Sequence, residues 1–346
     1  MAYNTFLTII IPSIIGFVVT VIGTRFIINY FYGSGIVAED RNKKHVKKIP
    51  SSGGISVSLG IIVGILAYTF GSRFIFKPAI SISVLLAAAL AIMLIAAVGF
   101  LDDINVKARR VQTTDMKDIR KGLKQWQKPL LTLIGALPLM AINAGVHQLN
   151  LPFVGIVQLG YFYPLIIIPL AVVFCSNAFN LLGGFDGLQP DMALMASAGM
   201  FIYAVFFGNE AGALLSALLL ASVLAFLPFN AYRARIIPGD SFTYAVGATL
   251  VAIMVLGNAE TFGVIIFIPW IMEFFLHLRK GFKVTDLGIL QKDGTFKAPY
   301  GKKIYSLTHF VMNLTRATEN TVAVYLTAFE GAFVVLGLLL KVFGVL

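Results

Sequence analysis

The chain has 346 residues, of which 58% are apolar and only 12% charged, and its formal net charge is +11. A soluble domain carries about a quarter charged residues, so the composition excludes an ordinary soluble enzyme. The basic residues sit between long apolar runs, which points to loop topology and anionic headgroups rather than to nucleic acid.

The first apolar run, Thr5 to Phe31, is too long for the apolar region of a signal peptide and has no basic segment before it, so it reads as a spanning helix. Many later runs also exceed the roughly 18 residues that mark a spanning helix. About ten spans are expected, near 5–31, 54–72, 78–99, 129–146, 160–176, 190–208, 211–229, 242–258, 260–278 and 319–344. No internal repeat and no separate soluble domain is visible. Residues 1–346 therefore read as a single polytopic, all-α membrane domain. Cys175, the only cysteine, lies inside an apolar run and reads as a small packing residue, so no intramolecular disulfide is expected.

Ten spans sort the loops into two sets. Nearly all of the 27 lysines and arginines fall in 32–53, 100–128, 177–189, 230–241 and 279–318, among them Arg41, Arg109, Arg110 and Lys117. The opposite set holds only Arg73 and Lys77. The positive-inside rule puts the basic loops in the cytoplasm and both termini outside. On the outer side, the alternation from Leu149 to Phe162 around Gly155 suggests a hairpin. In the long last loop, 279–318, Asp293-Gly294 is a hairpin turn signal. Leu307, Phe310, Val311 and Leu314 then fall on one helical face and predict a helix lying at the interface.

Polar residues cluster at the cytoplasmic span ends. Asp102 and Asp103 close the third span, where a metal or a cationic pocket would relieve their repulsion; a solvated helix end is the plain alternative. Asn177 and Asn180 share a helical face ahead of Gly183, Gly184 and Asp186; a glycine-rich turn would explain the glycines but not the asparagines. Asp240 precedes the eighth span, as a helix cap would. Lys128 alone reads as a snorkelling residue. His277, Arg279, Lys280, Lys297, Lys302, Lys303 and His309 read as topological charge or as a diphosphate clamp. The two histidines are too few and too far apart for a zinc site. Acids and amides for a hard cation, with basic groups for phosphates, suit metal-assisted phosphoryl transfer. A secondary transporter of an anionic solute is the reading of a different class, but its ionisable residues belong near the midplane rather than at one face.

Phe100-Leu101-Asp102-Asp103, Asn177-Ala178-Phe179-Asn180-Leu181 with Phe185-Asp186-Gly187-Leu188, and Gly239-Asp240-Ser241 occur in one order on one side. This set resembles the polyprenyl-phosphate N-acetylhexosamine-1-phosphate transferases over nearly the whole chain. Asp40-Arg41-Asn42-Lys43, Ile49-Pro50, Gly53-Gly54 and Gly239-Asp240-Ser241-Phe242-Thr243-Tyr244 are similar to the dolichyl-phosphate N-acetylglucosamine-phosphotransferase branch. The muramoyl-pentapeptide branch has an aspartate where this chain has Gly183, and a histidine-rich motif that is not found here. The resemblance implies transfer of N-acetylglucosamine-1-phosphate from a UDP-sugar to a polyprenyl or dolichyl phosphate. It implies magnesium, or manganese, at Asn180 and Asp240, and catalytic roles for Asp102, Asp103 and Lys128, with Lys124 as the alternative lysine. Asn177, Asp186, Arg279, Lys302 and Lys303 are the substrate-binding candidates. A homodimer is also implied, in the cell membrane of a prokaryote or the endoplasmic reticulum of a eukaryote. Another UDP-N-acetylhexosamine or undecaprenyl phosphate remains an alternative substrate.

Overall fold

The structure, a computed structural model, describes residues 3–346 apart from 41, 45, 106, 109–119, 122, 125 and 152–154. Arg41, Arg109, Arg110 and Lys117 lie outside the described residues. The order of elements is α1 (Tyr3–Ser34), β1 (Val37–Asp40), β2 (Lys47–Pro50), α2 (Gly54–Phe74), α3 (Ile82–Asn105), β3 (Lys107–Ala108), β4 (Arg120–Lys121), α4 (Gln127–Thr132), α5 (Leu137–Ala141), β5 (Gln148–Leu151), β6 (Gly155–Gln158), α6 (Ile168–Leu181), α7 (Leu188–Phe206), α8 (Glu210–Asn230), α9 (Asp240–Gly257), α10 (Glu260–Ile266), α11 (Ile268–Leu278), β7 (Ile289–Leu290), β8 (Phe296–Lys297), α12 (Leu307–Leu314) and α13 (Glu319–Val342). The strands form four small antiparallel hairpins, so the described architecture is helical. Both hairpins expected from the sequence are present, β5 with β6 and β7 with β8.

Among the described residues, seven helical segments are long and apolar enough to cross a membrane. Helices α10 and α11, bent by 55° at their junction, make an eighth if counted as one span. The bend falls where Pro269 follows Phe267 and Ile268, as a proline without an N–H dictates. The run expected as a span at 129–146 is instead α4, a 3-10 turn at Leu133–Ala136, and α5. Pro129 and Pro138 punctuate it at each end.

Helix α9 is the centre of the bundle, with 94% of its apolar window buried. It packs against α3, α6 and α8. Its register against α6 is fixed by Gly247, where a β-carbon would meet Ser176 Cα at 2.6 Å and Cys175 O at 2.7 Å. Ser176 Oγ donates to Tyr244 O at 3.2 Å, and Phe179 meets Phe242 edge to face at 6.5 Å. The pairs 175–247, 176–244 and 179–242 run in opposite directions, so α6 and α9 are antiparallel. Cys175 is buried, as a packing residue should be.

The expected interfacial helix α12 is present, but its apolar residues divide. Leu307 and Val311 are buried, whereas Phe310 and Leu314 are exposed. One face of α12 packs on α11, α13 and β8, and the other is exposed.

Candidate active site

Asp240 is the first residue of α9, and Gly239 before it has φ 75° and offers no capping side chain. The cap comes from another helix. Asp103, near the end of α3, accepts the N–H of Asp240 through Oδ1 at 2.7 Å and that of Ser241 through Oδ2 at 3.1 Å. These are two of the donors that a helix start leaves unpaired. A β-carbon on Gly239 would lie 2.4 Å from Asp103 Oδ2, so both the backbone conformation and the close carboxylate call for glycine. Asp240 is thus not the cap of its own helix, and its carboxylate turns elsewhere.

It turns to Lys128. The Lys128 ammonium lies 2.9 Å from Asp240 Oδ2 and 2.6 Å from Asp102 Oδ2. Burial pulls the Lys128 pKa down, but the two carboxylates outweigh it and the net shift is upward. Lys124, the alternative lysine, uses its backbone N–H to bond Gln127 Oε1. Asp102 is fully buried. Its Oδ1 accepts from Leu123 N at 3.1 Å, and Oδ2 accepts also from the hydroxyl of Tyr244 at 3.4 Å. The adjacent aspartates therefore face apart, Asp102 toward Lys128 and Asp103 toward the start of α9. Tyr244 holds Asp102 from inside the bundle; the motif contained it, but nothing in the sequence singled it out.

Asn180 lies one turn beyond Ser176 on α6, and Asp240 one turn before Tyr244 on α9. The antiparallel register puts the two at one level. Asn177 is engaged otherwise, donating to Thr132 Oγ1 at 2.9 Å and Val173 O at 2.8 Å. It ties α6 to α4, so its amide N–H groups serve packing rather than a substrate.

The loop 182–187 follows α6 directly. Asp186 Oδ2 accepts from Lys43 Nζ at 2.7 Å and from Ala234 N at 3.0 Å. Asn42 Nδ2 donates to Gly184 O, and Gly187 N donates to Asn230 Oδ1 at 3.1 Å. Asn42, Lys43, Asn230 and Glu319 were not singled out from sequence. Asn42 and Lys43 had as their signal only the likeness of Asp40-Arg41-Asn42-Lys43 to the family motif, and Asn230 and Glu319 had none.

The last loop is less convergent. Arg279 donates to Ile304 O at 3.2 Å and lies 5.4 Å over the Tyr305 ring. Lys302 and Lys303 are exposed. His277 pairs with the buried Glu273 at 2.9 Å, and Glu273 also accepts from Leu307 N at 2.7 Å. Burial pushes the His309 pKa down to about 4, with His277 adding to the shift, so His309 is neutral at pH 7. Glu273 thus ties α11 to the start of α12, and His309 accepts from Tyr305 N at 3.4 Å within the last loop.

Among the described residues, no three Asp, Glu, His or Cys side chains gather as a metal cluster. Magnesium is commonly bound through one or two carboxylates with the rest of its shell from water and substrate phosphate. Asp102 Oδ2 and Asp240 Oδ2 converge on one cationic atom, and all the donors here are hard oxygens. The residues present fit such an ion.

The family model for glycosyl transferase family 4 matches residues 84–258. A protein of Saccharolobus solfataricus, provisionally named UDP-N-acetylglucosamine–dolichyl-phosphate N-acetylglucosaminephosphotransferase, is 35% identical over 97% of both chains. A Sulfolobus acidocaldarius protein of the same name is 29% identical over 97% of both. A phospho-N-acetylmuramoyl-pentapeptide-transferase of Listeria monocytogenes is 28% identical over 85% of both. The span from Asp102 to Asp240, with the lysine between its two carboxylates, lies within the matched segment, and this chain belongs to glycosyl transferase family 4.

Proposed function

We propose that this chain transfers N-acetylglucosamine-1-phosphate from UDP-N-acetylglucosamine to dolichyl phosphate, giving dolichyl-diphosphate-N-acetylglucosamine and UMP. The observation that carries the reading is the meeting of Asp102 and Asp240 on Lys128 at one end of the bundle. Likeness over 97% of the chain to relatives named for this reaction supports the choice of substrates. Gly183, where the muramoyl-pentapeptide branch has an aspartate, supports it further.

In this reading an oxygen of the acceptor phosphate attacks the sugar-linked phosphorus, and the bond to the UMP oxygen breaks. The acceptor's second pKa is about 6, so it is mostly dianionic at pH 7 and no strong base is required. Asp240 and Asn180 are the residues that would hold magnesium, and Asp102 would add negative charge beside them. The chemistry the ion supplies when bound is neutralisation of diphosphate charge. Lys128 stays protonated and offers a positive group to the phosphates. Asp103 keeps the start of α9, and with it Asp240, in place. Asp186 belongs to the subsite for the nucleotide sugar, and Arg279, Lys302 and Lys303 contribute positive charge nearer the lipid. An apolar groove of about 480 Å³ along Ile271, Met272, Phe275, Leu276 and Leu278 ends at Arg279. An isoprenoid chain there, with its phosphate toward the arginine, fits that polarity.

The reading includes ten spans, with α7 and the broken α4–α5 segment completing the set, the basic loops in the cytoplasm and both termini outside. It also includes a homodimer. Family membership sets the transporter reading aside. The test is UMP release by purified protein from UDP-N-acetylglucosamine and dolichyl phosphate with magnesium present. Turnover of UDP-N-acetylmuramoyl-pentapeptide alone would overturn the substrate assignment.

A further inference from the structure

Lys43, in the loop between β1 and β2, reaches across the end of the bundle to two carboxylates. Its ammonium bonds Asp186 Oδ2 at 2.7 Å and also Glu319 Oε1. Asp40 Oδ2 lies farther away, at 3.6 Å, and the Tyr232 ring at 5.0 Å. Glu319 is the first residue of α13, where an acid would ordinarily favour the positive end of its own helix from the surface. Here it is 4% exposed, and its side chain leaves the helix. Oε1 takes the Lys43 ammonium, and Oε2 accepts the backbone N–H of Asp186 at 3.2 Å. The start of α13 is capped separately, by Thr318 accepting from Thr321 N at 3.3 Å. So Glu319 is not needed as a cap, and all the partners named for its carboxylate lie on other elements.

The geometry points to Glu319 as a positioning residue for the nucleotide-sugar subsite, acting through Lys43 and the backbone of Asp186. This rests on the reading above, in which Asp186 belongs to that subsite. One carboxylate fixes both faces of the loop residue: its backbone N–H directly, and its side chain through the shared ammonium. Without it, Lys43 and Asp186 lose the anchor that links them to α13, and the loop must be ordered when the ligand binds. Binding that carries an ordering cost is weaker. The loss should fall on the nucleotide, because the partners of Glu319 are Lys43 and Asp186 of that subsite, not the phosphate-facing group of Lys128, Asp102 and Asp240.

The test compares Glu319→Gln and Glu319→Ala with the unaltered protein in one detergent. Glutamine keeps an oxygen for the Asp186 N–H and loses the charge facing Lys43; alanine loses both. We expect KM for UDP-N-acetylglucosamine to rise about tenfold in Glu319→Ala and less in Glu319→Gln, about tenfold being what ~1.4 kcal/mol of lost binding gives. KM for dolichyl phosphate and kcat should stay within about twofold. Lys43→Met combined with Glu319→Ala should raise KM by less than the product of the single effects, since the two share one interaction. An equal rise in both KM values, or a fall in kcat alone, would overturn the proposal. If Glu319→Ala does not fold, Glu319→Gln carries the test by itself. Affinity for UDP without lipid separates this inference from the function. Unaltered protein that binds UDP but releases no UMP fails the functional reading alone. Undiminished UDP affinity in Glu319→Gln fails the positioning role alone.

Discussion

At the scale of single residues, the site depends on which carboxylate faces which partner. Asp103 gives both oxygens to backbone N–H groups, whereas Asp240 turns its carboxylate to Lys128. Two substitutions of similar chemistry should therefore differ in kind. Asp240→Asn should lower kcat on the order of 10²-fold or more, a few kcal/mol of transition-state stabilisation, and shift the magnesium dependence of UMP release. Any cost in stability should come from the lost ion pair with Lys128 and not from the start of α9, whose cap lies on Asp103. Unchanged activity with an unchanged magnesium midpoint would remove Asp240 from the metal. Asp103→Ala strands two N–H groups and should cost about 1–3 kcal/mol of stability. Asp103→Asn keeps one accepting oxygen and should cost less. Equal melting temperatures for Asp103→Ala and the unaltered protein would rule out the cap. The raised pKa of Lys128 adds a pH expectation. A group raised on folding gives stability that is full below its unfolded pKa of 10.5 and is lost as pH rises through its higher folded value. The stability gap between the unaltered protein and Lys128→Met should thus stay level from neutral pH to about 10, and narrow only beyond that. A gap that closes near pH 8 would mean that the ammonium is not held as described. The sequence drew Asp102, Asp103 and Asp240 together, because adjacent acids and a Gly-Asp at span ends are unusual enough to notice, and Lys128 joined them only through the family resemblance. It did not separate their roles. Which way each of two neighbouring side chains points depends on a helix more than a hundred residues away.

At the scale of elements, apolar length was legible and breaks were not. Hydropathy sums over a window, so the run near 129–146 reads as one span although it is broken into α4, a 3-10 turn and α5, with Pro138 at the start of α5. The same blindness hid the 55° bend before Pro269. Local patterns fared better: the Asp293-Gly294 turn signal and the alternation around Gly155 each mark an observed hairpin, because such short patterns need no tertiary context. The contact of α6 with α9 belongs to the illegible part, since its reason is a missing side chain. Gly247→Ala puts a methyl group against the backbone of Ser176 and Cys175, which cannot rotate away. It should destabilise the protein by about 1–3 kcal/mol, as overpacking does. It should also reduce activity, because the same contact sets Asn180 level with Asp240. A normal melting temperature and normal turnover in Gly247→Ala would mean that the two helices can separate without consequence, and the shared level of Asn180 and Asp240 would lose its support.

At the scale of the whole molecule, charge sorts the loops into two sets, and contacts join members within each set. The loops expected in the cytoplasm meet one another: Lys43 bonds Asp186 and Glu319, Ala234 bonds Asp186, and Lys128 bonds Asp102 and Asp240. At the other end Tyr163 bonds Glu260, Asn209 bonds Leu256 O, and β5 and β6 form their hairpin. The sequence reached this sorting through the positive-inside rule alone, a count of charge that needs no side-chain geometry. We propose that each group of loops is one end of the molecule, so a single label per end reports the orientation of the whole chain. Lys44 and Lys303 are exposed at the basic end, and Ile156 is exposed on the opposite hairpin. Cys175 is buried, so the unaltered protein gives little background to a thiol reagent that does not cross membranes. In sealed right-side-out vesicles, Ile156→Cys should label from outside, whereas Lys44→Cys and Lys303→Cys should label only after the vesicles are opened. Each variant must first retain UMP release, so that labelling reports a folded enzyme. Labelling of Lys44→Cys and Ile156→Cys from the same side would sink the topology. Labelling in the reverse order would keep the two ends but invert them, moving the aspartates, Lys128 and the Lys43–Glu319 anchor to the outer face, away from cytoplasmic UDP-sugar.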